Sequence, residues 1–349
     1  MATLGEIIAK AQVASASSPV TTLPPDVTAI NNFSLSVVNF VDKWAGRSGQ
    51  VDILRCSGLH YVCPRAFVIN YWRPAAPVAT FDAVGYLRMN CGTSIHKFMQ
   101  DVVLGPGLIL KGSWHNTSDG SIVGGYHPDP ERAIFEWEHS NMTTWEYIEP
   151  EYFDPHYRIS GHSDGVVSIE RLKVFNTLCK NKTVGLKAML KELEKISGGE
   201  DALLEMKSTS AGGFTQVNGP TRLPGVYTLQ AAMYQHMSGL SSTVFLYISR
   251  DNCAMNSFKF VATPSMVTYG LDKAAVIWES IRDRTLPVEY MPCMSLSDTA
   301  AKNCNVSDAC FAHFRSGSNY GDFHQFIEES KLAQPDRKWL DLSGWSRSH

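Results

Sequence analysis

No stretch of the 349 residues is apolar over anything like the roughly 20 positions that a membrane-spanning helix needs. The apolar segment from Val102 to Leu110 is cut by Gly105, Pro106 and Gly107. An excess of either charge is also missing: 31 Lys and Arg stand against 34 Asp and Glu, a formal net charge of -3. A polyanionic partner must therefore be met by a local basic patch or through bound cations. Cysteine is sparse, eight residues in all, which argues against a secreted disulfide scaffold and for a reducing compartment. The first residues, MATLGEIIAKAQVASASSP, hold the acidic Glu6 and lack the basic and apolar regions of a signal peptide. A soluble, cytoplasmic protein is the expectation. No internal repeat is visible, which excludes a solenoid or propeller.

What is present is an ordinary globular composition, 44% hydrophobic and 19% charged, enough to bury a core and inconsistent with disorder. The length suits one large domain or two modest ones. The pattern favours one large α/β domain over residues 51–315, preceded by a helical arm and Ser/Thr/Pro-rich linker (1–50) and followed by a tail (316–349). The spacing predicts a helix over 92–104 capped by Thr93 or Ser94, and a polar loop over 113–128. Strands are predicted at 165–169, 202–207, 243–249 and 257–262, with a helix over 227–237. Acidic residues crowd 129–154 and read as a solvated face. Basic ones crowd 171–195 (Arg171, Lys173, Lys180, Lys182, Lys187, Lys191, Lys195), a helix face or a DNA contact.

Three short pieces stand in order: GHSDG at 161–165, LLEMKS at 203–208 and QAAMYQ at 230–235. Glu205 and Lys207 are two apart on a predicted strand and so share a face among the apolar Leu203, Leu204 and Met206. Asp164 precedes a second strand; if the two strands pair, both carboxylates reach one edge of the sheet. Two carboxylates with open water positions suit a hard divalent cation such as Mg²⁺ or Mn²⁺. Gln230 and Tyr234, four apart, share a helix face. Taken singly these are weak signals. His96 alone reads as structural, Asp164 as a turn residue, Glu205 with Lys207 as a surface ion pair, and Gln230 with Tyr234 as a surface stripe.

In this order the motifs resemble the PD-(D/E)XK nuclease superfamily, and more narrowly the RecB-like exonucleases and the iron–sulfur nucleases of CRISPR adaptation. The matches are His96 in GTSIH, Asp164 in GHSDG, Glu205 and Lys207 in EMK, and Gln230 with Tyr234. The resemblance implies a restriction-endonuclease-like core, a central mixed β-sheet flanked by helices. It implies that His96, Asp164, Glu205 and the carbonyl of Met206 ligate Mg²⁺ or Mn²⁺, that Lys207 assists hydrolysis, and that Gln230 and Tyr234 orient strand and substrate. His162 is an alternative to His96.

The same resemblance places Cys63 upstream and Cys293, Cys304 and Cys310 downstream as four ligands of a 4Fe–4S cluster joining the ends of the core, with a structural Zn²⁺ as the alternative. The ten residues between Cys293 and Cys304 exceed the two common in that family, whereas the five before Cys310 agree. Arg65 then contacts phosphate or supports the cluster. Cys56, Cys91, Cys179 and Cys253 remain as buried small apolar residues. The implied function is a metal-dependent DNA exonuclease acting on single strands or duplex ends in recombination, repair or replication, in a bacterial cell or a virus-infected host. The alternatives are a non-catalytic DNA-binding or assembly subunit and a structure-selective endonuclease.

Overall fold

The structure is a computed structural model that describes residues 52–73, 83–107, 109–140, 142–168, 191, 195, 200–217, 222–315 and 320–347. The chain divides into two compact units. One comprises residues 1–46 and 79–87, of which 83–87 alone are described, as helix. The other comprises residues 47–78 and 88–349. The predicted N-terminal arm, the stretch from Arg171 to Lys187 and Cys179 lie outside the described residues.

In chain order the elements are β1 (Leu54–Arg55), α1 (Cys56–Leu59), α2 (Pro64–Trp72), α3 (Ala83–Phe98) running on as a π turn (Met99–Leu104), β2 (Leu110–Asn116), β3 (Ile122–Gly125), α4 (Pro130–Ser140), β4 (Trp145–Ile148), β5 (Glu151–Asp154), β6 (Ile159–His162), β7 (Gly165–Val167) and β8 (Ala202–Thr209). Then follow α5 (Ala211–Gln216), α6 (Gly225–Ser238), β9 (Thr243–Ser249), β10 (Met255–Phe260), α7 (Pro264–Asp283), α8 (Thr299–Lys302), α9 (Ser307–Arg315) and α10 (Tyr320–Leu332). This is a mixed α/β fold with a central mixed sheet flanked by helices.

The larger sheet has seven strands in the order β10-β9-β8-β7-β2-β3, with β4 on β2. Within it β8 is antiparallel to β7 and parallel to β9, the crossover containing α6. A smaller sheet has the order β1-β6-β5. Strand β9 is buried along its whole length, which explains its unbroken apolar run TVFLYIS.

Strand β8 separates two cores by simple alternation. Leu203 joins a cluster built with Leu229, Met233 and Tyr234 of α6 and Ile277 and Trp278 of α7. Ala202, Leu204 and Met206 face the opposite way, into a cluster with Met99, Leu104, Leu110 and Trp114. Residues set apart by sequence as a tail supply Phe323, Phe326, Ile327 and Leu342 to the first cluster. Trp339 stacks on Trp72 at 5.1 Å, so aromatic packing ties this segment to α2.

Three local expectations are corrected. The predicted loop over 113–128 is mostly the antiparallel hairpin of β2 and β3. Its polar residues serve the turn: Asn116 and Asp119 accept the backbone N–H groups of Ser118 and Ser121, and Gly120 adopts φ 75°. Thr93 and Ser94 do not start a helix. They lie within α3, their hydroxyls donating to the carbonyls of Met89 and Asn90 four residues back. Cys91 and Cys253 are exposed rather than buried: Cys91 lies on α3, and Cys253 has φ 57° in the turn before β10. The Gly-Pro-Gly interruption also has a packing reason, because a Cβ on Gly105 would lie 2.3 Å from the Trp114 ring.

Candidate functional site

The face of β8 that bears Leu203 also bears Glu205 and Lys207, and α6 covers it. Glu205 is buried at 2% exposure and pairs with the Lys207 ammonium, so the surface-ion-pair reading does not hold. Its second oxygen, Oε2, is buried without a hydrogen-bond partner among the described residues. A carboxylate in that position is costly unless something else satisfies it.

Asp164 occupies the short link between β6 and β7, brought beside β8 by the pairing of Gly165 with Leu204. Its Oδ2 accepts the Met206 backbone N–H at 2.5 Å, and its Oδ1 lies 3.0 Å from His96 Nδ1. The pairing that the sequence required is therefore present, and His96 of α3 joins it. One turn beyond, Gln100 donates to the Asp164 carbonyl at 2.7 Å and to Glu149 at 3.0 Å. Glu149 thus belongs to this surround rather than to a purely solvated acidic face. Asp101, also buried, accepts the Tyr147 N–H at 2.7 Å. This locks the π turn to β4.

Burial raises the proton affinity of Glu205, opposed by Lys207 and reinforced by Asp164. For Lys207 burial disfavours the ammonium, but Glu205 and then Asp164 outweigh it and hold its pKa above the ordinary value. Burial likewise opposes the His96 imidazolium, yet its hydrogen bond to Asp164 and the charge of Asp164 raise its pKa. The protonation of Glu205, Lys207 and His96 is thus linked through the charges they present to one another.

On α6 the Gln230 amide donates to the Tyr234 hydroxyl at 2.9 Å, both side chains buried. Burial, and after it the charge of Glu205, push the Tyr234 pKa up, so this side chain acts as a neutral phenol. The surface-stripe reading is corrected: the pair lies inside, beside the strand that bears Glu205. A Cβ on Gly161 would stand 2.6 Å from the Tyr234 ring, so the first glycine of GHSDG admits the tyrosine. Two further residues escaped the sequence reading. Tyr227 places its ring centroid 4.6 Å from Lys207 Nζ, and its position three before Gln230 and seven before Tyr234 was the available signal. Gln100, four after His96, was the other. His162 lies within 3.7 Å of Glu151 at the surface, and no hydrogen bond to Asp164 is seen among the described residues.

The four proposed ligand cysteines are free thiols. Cys63 immediately precedes α2, and Cys63 and Cys304 line one cavity. Burial raises the Cys63 thiol, with Cys304 adding to the rise. Burial also raises Cys293, with Cys63 and Cys304 adding. Cys310 is pushed up to about 11 by burial, with smaller contributions from Cys63 and Cys293 and an opposing hydrogen bond from Arg65. Arg65 is itself buried and donates to the Pro287 carbonyl through Nε at 3.0 Å and Nη2 at 2.9 Å. The fold thus draws the early cysteine and the late three into mutual electrostatic reach.

Among the described residues no three His, Cys, Asp or Glu side chains stand close enough around one point to hold a metal ion as placed. By donor chemistry, the oxygen-rich set with its unpartnered Glu205 Oε2 fits a hard divalent cation, and the thiols fit a soft centre. Lys191 and Lys195, the described members of the basic run, are exposed. Among the described residues no helix is long and apolar enough to cross a membrane.

No family model matches the chain, and no curated protein does. Among solved structures, the chain is similar to that of SSO0001 at a TM-score of 0.32 and 10% identity, over 80% of this chain and 96% of that one.

Proposed function

We propose that this chain is a metal-dependent DNA exonuclease with a PD-(D/E)XK-type core of the RecB-like branch. The observation that supports the reading most is that Asp164, in the link just before β7, lies beside the Glu205–Lys207 pair of the adjoining β8, with Glu205 Oε2 buried and unpartnered among the described residues. His96, Asp164, Glu205 and the Met206 carbonyl would hold Mg²⁺ or Mn²⁺. Such a cation, when bound, would supply polarisation of a phosphoryl oxygen and activation of water for phosphodiester hydrolysis. Lys207 positions the attacking water and stabilises developing negative charge, while the Tyr227 ring limits where its ammonium can go. Gln230 holds the Tyr234 hydroxyl beside the strand, and Gln100 holds the backbone of Asp164. Cys63, Cys293, Cys304 and Cys310 would ligate a 4Fe–4S cluster, or Zn²⁺ in its place, joining α2 to the segment 293–310. The partner is DNA, as single strands or duplex ends, and the expected setting is the cytoplasm.

Degradation of end-labelled DNA with Mn²⁺ tests the reading. Wild type should cleave, and Asp164→Ala and Lys207→Ala should each fall by about 10²–10⁴-fold. Equal behaviour of all three overturns the assignment. Salt-sensitive DNA binding without metal-dependent cleavage would instead mark a binding or assembly subunit. Cleavage of closed circles would mark an endonuclease.

A further inference from the structure

We propose that Lys273 is the buried counter-ion of the four-cysteine centre, a positioning residue that sets how much negative charge the centre can hold. The inference rests on the reading of Cys63, Cys293, Cys304 and Cys310 as ligands of one centre. Lys273 projects from α7 into a cavity of about 780 Å³, which Cys63 and Cys304 also line. It is 3% exposed, and its ammonium donates to the His60 carbonyl at 2.9 Å. No Asp or Glu lines that cavity, and no carboxylate pairs with Lys273 among the described residues.

A buried ammonium held by one carbonyl oxygen, with the Tyr269 ring centroid 5.9 Å away at the outer limit of cation–π range, is poorly compensated. Burial lowers the Lys273 pKa to about 8, and Cys63 opposes that fall. The surroundings are thus built for a cation that lacks a carboxylate and faces sulfur. Four thiolates around Zn²⁺ or an oxidised 4Fe–4S core have a net charge of about -2, and one-electron reduction of the cluster adds about one more. An anionic centre of that kind supplies the compensation Lys273 lacks. Lys273 in turn stabilises the reduced cluster more than the oxidised one, because the attraction grows with the charge of the centre. Arg65, on the Cys310 side, contributes a second positive charge.

The experiment begins with iron, sulfide and zinc content of the anaerobically purified full chain. Wild type, Lys273→Met, Lys273→Gln and Lys273→Arg are then compared by redox titration in the visible absorbance of the cluster. The Met and Gln variants should keep iron and sulfide but reduce at more negative potential, equivalent to about tenfold or more in the reduction equilibrium. Lys273→Arg should return towards wild type. Lys273→Gln retains a donor for the His60 carbonyl and removes only the charge, so it decides the matter should the Met variant not fold. A Gln variant that loses the metal while Arg keeps it also supports the proposal.

Equal potentials in all four proteins overturn the role of Lys273 and leave the cluster standing. If the metal is zinc, its transfer to a chelator replaces the potential as readout. About tenfold faster loss from the Gln variant than from wild type or Arg supports the proposal, and equal rates overturn it. Neither iron nor zinc in the wild-type chain overturns the four-cysteine reading, and the proposal falls with it.

Discussion

The acidic site on β8 and the thiol site before α2 treat charge in opposite ways. At the first, carboxylates, imidazole and ammonium lie against one another. His96 leans on Asp164, Lys207 on Glu205, and Asp164 on a backbone N–H. At the second, two buried cations, Arg65 and Lys273, are held by the carbonyls of Pro287 and His60 and face sulfur. The assembly differs too. Sheet register sets the first, since pairing Gly165 with Leu204 leaves Asp164 no other neighbourhood. The second joins parts of the chain far apart, with 222 positions between Arg65 and the carbonyl it grips. A site pinned by a ladder can lose a functional side chain and keep its shape. A site that joins distant segments by ligation loses architecture along with its ligand.

The sharpest way to break this contrast is to remove one group from each side. Asp164→Ala should reduce Mn²⁺-dependent cleavage by about 10²–10⁴-fold while the melting temperature and the iron or zinc content stay near wild type. Cys63→Ala should deplete the bound metal and lower the melting temperature by about 5 °C or more, as loss of a structural centre costing a few kcal/mol would do in a domain of this size. Paired measurements of cleavage, metal content and thermal unfolding test the contrast. If both variants moved all three readouts together, the sites would be one cooperative structure.

A smaller effect distinguishes the cores beneath the two sites. His127 packs 4.6 Å from Trp114, centroid to centroid, in the region of the cluster behind β8. Burial lowers its pKa to about 4, and its Nε2 is buried and unpartnered among the described residues. Between about pH 4 and the ordinary histidine value of about 6.5, the unfolded chain binds the proton and the folded chain does not. Stability from this group is therefore complete above about pH 6.5 and falls as pH drops towards 4, by at most about 3 kcal/mol. Urea unfolding at pH 7.5 and pH 5 should show the loss in wild type and a reduced loss in His127→Phe. An equal pH dependence in the two proteins would mean that His127 does not set the acid sensitivity of this region.

The elements that position the acidic site were legible because strand alternation and helix spacing act over a few residues. Strand β9 and the body of α6 fall where the spacing places them, and Glu205 and Lys207 share a face as the two-residue period requires. The hairpin of β2 and β3 was missed because its turn residues, Asn116 to Ser121, dominate the local composition while within 113–128 Trp114 is the one buried apolar side chain among the described residues. Burial was the harder quantity. That Gln230 and Tyr234 lie inside, and that Cys91 and Cys253 lie outside, depends on what packs against α6 and α3. Lys273 had no local signal at all: its surroundings come from the link before α2 (His60 to Cys63), from α7 and from the segment that begins at Tyr290.

Tyr234 belongs to the hydrophobic cluster against which Cys304 and Cys310 also pack, and Gly161 gives the finest probe of it. A methyl at Gly161 would stand 2.6 Å from Tyr234 Cε1, 3.0 Å from its hydroxyl and 3.1 Å from Cys56 Cβ. The ring cannot yield freely, because Tyr234, Cys56 and Leu229 are buried in one cluster. Gly161→Ala should cost about 1–3 kcal/mol as an overpacked core does, and should move the tyrosine hydroxyl off Gln230. Gln230→Ala removes the same hydrogen bond without the collision, for about 1 kcal/mol. Because Tyr234 lies beside the acidic strand, both variants should slow cleavage several-fold with metal content unchanged, Gly161→Ala the more strongly. If either variant shed iron or zinc, the first hydrophobic cluster would be transmitting strain from β6 to the cysteines, and the two sites would be coupled through Tyr234 rather than independent.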